Sequence, residues 1–96
     1  MIAFHFETFT PQITIRSERE LTVDVVAGAH LGFSDTVEYQ AVRVRDDLVV
    51  LSWREHNGST IAHTLDLRSN ITYAAVTPAT GDFMRWIGRI EIKPDA

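Results

Sequence analysis

This sequence predicts an all-β domain, a small antiparallel barrel of about eight strands, and three observations predict it. Apolar and polar residues alternate with a period of two along most of the chain. Segments with the period of an amphipathic helix are nearly absent. Turn-forming groups recur at short, even intervals: Ala27-Gly28-Ala29-His30-Leu31-Gly32, Asp46-Asp47, His56-Asn57-Gly58-Ser59, Arg68-Ser69-Asn70 and Thr77-Pro78-Ala79-Thr80-Gly81-Asp82. Closing such strands into a barrel removes exposed edges, and about eight strands make a barrel that either fills itself with side chains or holds one small ligand.

The strands are expected near residues 2–9, 12–17, 20–27, 35–45, 47–55, 60–67, 70–77 and 83–92. Ser17-Glu18-Arg19-Glu20 has the form of a helix capping box, but Leu21-Thr22-Val23-Asp24-Val25-Val26 follows it, alternating and β-branched, so a turn into a strand is expected. Asn57-Gly58 marks a hairpin without fixing its register. A two-residue loop pairs Glu55 with Thr60, and a bulge shifts that pairing by one residue. No break divides the 96 residues, so residues 1–96 are expected to form a single domain, large enough for a core without staples.

Composition narrows the function. Nine basic and 13 acidic residues give a net charge of −4, and the basic residues are scattered. A phosphate-backbone binder needs a basic stripe, so no nucleic-acid partner is expected. No polybasic patch or long apolar run calls for a membrane. With no cysteine, disulfides, thiolate metal sites and cysteine nucleophiles are excluded. Met1-Ile2-Ala3-Phe4-His5-Phe6-Glu7 lacks the basic start and apolar stretch of a secretory leader, so a cytoplasmic location is expected. His5, His30 and His56 lie in different segments with no metal-ligand spacing, and neither a metal nor a cofactor is expected.

Alternation assigns side chains to the interior. In the fifth strand Val49, Leu51, Trp53 and Glu55 form the row expected inside, placing Glu55 near a barrel mouth. In the sixth, His63 shares a row with Ile61, Leu65 and Leu67. Val37 and Tyr39 lead the inward row of the fourth strand, Ile71, Tyr73 and Ala75 that of the seventh, and Met84, Trp86, Gly88, Ile90 and Ile92 that of the eighth. Gly88 is expected to relieve crowding or permit a bend. Tyr39, Trp53, Glu55, His63, Tyr73 and Trp86 are therefore the candidate ligand-binding residues. An inward carboxylate has a raised pKa and suits acid–base chemistry, so Glu55 is also the candidate catalytic residue. Val42, Val44, Leu48 and Val50 fall on the outer face, where they form a candidate homodimer patch.

The run Val49-Val50-Leu51-Ser52-Trp53-Arg54-Glu55-His56-Asn57-Gly58-Ser59-Thr60-Ile61-Ala62-His63-Thr64-Leu65-Asp66-Leu67 resembles the hairpin of the MoaF-like family, named after molybdenum cofactor biosynthesis protein F. Gly28 to Tyr39, and Thr77 to Phe83 followed by Gly88, resemble its flanks. The resemblance covers roughly residues 12–92 and implies a lipocalin-like (calycin) barrel with a small bound metabolite. The same hairpin more distantly resembles phenolic acid decarboxylases. Their Trp-x-Glu glutamate belongs to the catalytic set, and Glu55 stands at that position. Their first-strand tyrosines and the arginine after the glycine segment are missing: this chain has Phe4-His5-Phe6 and Phe33-Ser34-Asp35 there. The expectation is a barrel binding a small, aromatic or apolar molecule, leaning away from an enzyme. The alternatives are a small lyase or isomerase using Glu55, and a filled barrel acting as a dimeric interaction module.

Overall fold

The computed structural model describes residues 1–94. Eight strands follow in order: β1 (Ile2–His5), β2 (Phe9–Ile15), β3 (Glu20–Gly28), β4 (Ser34–Arg45), β5 (Leu48–Arg54), β6 (Thr60–Asp66), β7 (Ile71–Thr77) and β8 (Met84–Ile92). Each pairs antiparallel with the next, and β8 returns to β1 through Ile2↔Ile92 and Phe4↔Ile90, closing the barrel. The fold class and strand count agree with the sequence reading. No helix among the described residues is long and apolar enough to cross a membrane.

The boundaries differ most at the start. The chain turns after His5 rather than continuing to residue 9, with Phe6 N–H bonded to the Phe9 carbonyl at 3.1 Å. The β2–β3 register shifts between Thr10 and Pro11. Proline has no N–H to donate, so a ladder passing through it breaks locally.

The β5–β6 hairpin resolves its register. Glu55 N–H bonds the Ser59 carbonyl at 2.8 Å, and Arg54 pairs with Thr60. The loop therefore spans three residues, His56-Asn57-Gly58, and Gly58 takes the left-handed position (φ 93°) that this loop length demands. This is the bulged arrangement, one residue off the two-residue alternative.

Rows on β5 and β6 lie as alternation requires: Leu51, Trp53, Ile61, His63 and Leu65 are buried. On β7 the assignment is reversed. Thr72 and Ala74 face the interior, while Tyr73 points outward and is 49 % exposed. Trp86, Gly88 and Ile90 follow the expected inward row of β8. A β-carbon placed on Gly88 would lie 2.7 Å from Phe6 Cδ1, so glycine makes room for a neighbouring ring, the crowding role expected of it.

β4 outruns β3. Its ladder to β3 ends at Glu20↔Glu38, while its ladder to β5 continues to Arg45↔Leu48. Residues 40–45 thus form an open edge. On the outer face Val42 and Val44, 56 % and 53 % exposed, stand beside the half-buried Val50 and Leu48. Register extends this apolar row from Val42 through Val50, Thr64 and Tyr73 to Ile87.

Candidate functional site

The barrel is stoppered at one end and open at the other. Ile13, Leu21, Val37, Leu51, Leu65 and Ile90 meet in the closed part. The open end lies between the β1–β2 turn, the β3–β4 loop, the β5–β6 hairpin and the β7–β8 loop. A cavity of about 390 Å³ descends from it. The interior is therefore not filled by its own side chains, which overturns the filled-barrel alternative.

Aromatic rings make the wall. Phe6, Phe9 and Trp86 pack together with centroids 5.2–5.8 Å apart. Deeper, the His63 imidazole lies nearly parallel to Phe4 (4.3 Å, 25°) and to Trp53 (5.5 Å, 20°). Flat rings held at such separations gain from offset stacking beyond their buried area. They also line a space without filling it, as the pocket among them shows.

Trp53 and Glu55 are two residues apart on one strand, so both point inward and meet. Trp53 Nε1–H donates to Glu55 Oε2 at 3.2 Å. Burial raises the Glu55 carboxyl above its ordinary range. The Trp53 hydrogen bond opposes that shift, and the negative charge of Asp35 adds to it. Asp35 in turn ties the hairpin to the start of β4. It accepts the His56 backbone N–H at 2.9 Å and lies 2.7 Å from His56 Nδ1. Desolvation works against the Asp35 charge, but these bonds from His56 hold its carboxyl below the usual range.

His63 sits at the floor, and only 3 % of it is exposed. Burial pushes its pKa down to about 4, so the ring is neutral at pH 7. Its Nδ1 lies 2.8 Å from Thr72 Oγ1.

Of the six expected ligand residues, Trp53, Glu55, His63 and Trp86 line the cavity. Tyr39 lies off its wall; the phenol packs against the core and donates to the Ser17 carbonyl at 2.9 Å, fastening the β2–β3 turn. Tyr73 is on the outer face, a correction to its expected inward position. The sequence reading missed Phe4, Phe6, Phe9 and Phe33, which also line the cavity, while Met84, expected inward on β8, joins the lining as well. The Phe4-x-Phe6 alternation carried a signal for two of them. Among the described residues no group of three His, Cys, Asp or Glu converges as metal ligands.

Residues 1–91 match the family model described as MoaF-like. A crystal structure from Burkholderia vietnamiensis, described provisionally as a beta-lactamase, is similar to this chain at 22 % identity. The match has a TM-score of 0.88 and covers 94 % of this chain and 88 % of the other. At that identity the likeness carries the fold alone. No curated protein sequence matches the chain significantly.

Proposed function

From a chain that belongs to the MoaF-like family, with a deep apolar cavity in its barrel, we propose a protein that binds a small, mostly apolar, aromatic metabolite. The observation that carries this reading is the cavity of about 390 Å³, walled by aromatic rings and offering a few polar groups, among them Glu55 and His63. Ligand sites have this size and this ratio of apolar wall to polar anchor. Trp53 and Trp86 stack on the ligand, and Glu55 meets its outer end.

The chain has two tryptophans, and both line the cavity. Any occupant therefore perturbs all of the protein's tryptophan emission. Titration with a neutral fluorescent dye such as Nile red is expected to quench that emission saturably at one dye per chain. Trp53→Phe is expected to weaken the interaction several-fold while leaving the domain folded. A folded protein that takes up no dye overturns the reading.

Two observations favour second readings. The raised pKa of Glu55 suits a proton-transferring group, which supports the lyase or isomerase alternative; there Glu55→Gln abolishes turnover and spares binding. The apolar outer row from Val42 to Ile87, beside the open edge of β4, supports self-association into a homodimer. A sedimentation mass of one chain at high micromolar concentration overturns that second proposal.

A further inference from the structure

The Thr72 side chain fixes which nitrogen of His63 carries the proton. Thr72 is fully buried, and its hydroxyl has one hydrogen-bond partner among the described residues, His63 Nδ1 at 2.8 Å. A buried hydroxyl hydrogen left without an acceptor is costly. The threonine therefore donates, Nδ1 accepts, and the neutral ring carries its hydrogen on Nε2. Nε2 has no partner among the described residues. It is not sealed either, because no fully enclosed side-chain nitrogen or oxygen among the described residues lacks a partner. His63 lines the cavity, so this unpaired N–H faces the space a ligand fills.

The charges around the cavity point the same way. Among the described residues no lysine or arginine lines it, and its ionisable groups are Glu55, His30 and His63. An anionic ligand would meet the Glu55 carboxylate at the mouth and a neutral donor at the floor, with no permanently charged lysine or arginine to offset its desolvation.

Resting on the binding function proposed above, we propose that the ligand is an uncharged aromatic carbonyl compound, held with its carbonyl oxygen inward on His63 Nε2–H and its ring between the Trp53 and Trp86 walls. The carbonyl satisfies a donor that the described residues leave free at the cavity floor. Carboxylic acids and phosphate esters are rejected by the same site.

Three naphthalenes of nearly equal size test this: 2-acetylnaphthalene, 2-ethylnaphthalene and 2-naphthoate, titrated into the full chain at pH 7.5 and read by tryptophan emission. The ketone is expected to bind about tenfold more tightly than the ethyl compound, the scale of one satisfied hydrogen bond, and the carboxylate more weakly than either. In Thr72→Val the ketone-to-ethyl ratio is expected to fall towards one. A ratio within one variant is insensitive to lost stability. Long-range ¹⁵N–¹H correlation spectra of His63 are expected to show the Nε2–H tautomer in the wild type. Equal affinity for ketone and ethyl compound, or a Nδ1–H tautomer, overturns this inference and leaves the binding function standing. Failure of all three to bind a folded protein overturns both.

Discussion

In the lower half of the barrel Ile13, Leu21 and Thr72 are completely enclosed, whereas at the mouth Leu31 and Phe83 leave 68 % and 55 % of their surface in water. The same period-two alternation builds both regions. They differ in what reaches the axis. Branched aliphatic chains converge below and interlock, as in any close-packed interior. Above, flat rings lie against the staves, and Gly88 lets Phe6 cross the β8 backbone closely instead of standing towards the centre. An empty interior thus needs no special strand geometry; it needs aromatic residues at the inward positions of one end and a glycine behind one of them.

Five variants sharpen or break that contrast. The largest effect is expected for Leu21→Ala, which removes enclosed methyl groups and lowers stability by about 2–5 kcal/mol in urea unfolding. Leu31→Ala, at the exposed rim, is expected to change it by less than about 0.5 kcal/mol. Comparable losses from both would erase the distinction between the two regions.

Acid is expected to act through the floor. The unfolded chain protonates His63 near pH 6.5, but the folded protein does so only near pH 4. Unfolding therefore takes up a proton between those values, and stability falls as pH drops from 6.5 to 4, by about 3 kcal/mol in full. The double variant His63→Phe/Thr72→Val removes both hydrogen-bonding partners and is expected to lose that component of the pH profile. Glu55 has the opposite sign: its raised pKa means that ionisation, as pH rises through the carboxylate range, weakens the fold. An unchanged profile in the double variant would show that the floor histidine is not the titrating group.

Gly88→Ala is expected to cost about 1–3 kcal/mol, because its β-carbon would collide with Phe6. The displaced ring moves into the cavity, so dye affinity should fall more than stability alone explains. A small effect is also expected at the hairpin clasp. Asp35→Asn changes stability by less than about 1 kcal/mol, since His56 is largely exposed, but it accelerates hydrogen exchange at His56–Gly58. Unaltered exchange there would mean that the hairpin holds its place without Asp35.

Much of this was legible in the chain. Strand number, the rows of β5, β6 and β8, and the meeting of Trp53 with Glu55 follow from alternation, which is a local property. Tyr73 was misplaced for a reason that alternation cannot reach. Ile71-x-Tyr73 is the bulkier row of β7, yet Thr72 and Ala74 face the interior, and Ala74 pairs with two inward rings, His63 on β6 and Trp86 on β8. Small side chains suit a place between two rings, and which rings stand there is a fact about β6 and β8, not about β7. Tyr39 kept its row, but β4 runs beyond the end of β3, so its phenol reaches the Ser17 turn instead of the cavity. The His63–Thr72 pair lies on two strands, and its donor direction depends on what surrounds the hydroxyl, which no spacing encodes.

The up-and-down order of the staves has a kinetic consequence. Seven of the eight ladders join consecutive strands, and each can form as a hairpin with a short loop. The eighth, β1 to β8, joins residues 92 − 2 = 90 positions apart through Ile2↔Ile92. Closing so long a loop is entropically slow to nucleate, though its cost grows only logarithmically with length. The meander is thus expected to assemble first and the seam last. Substitutions along the seam, such as Ile90→Val, would then speed unfolding and leave the folding rate almost untouched.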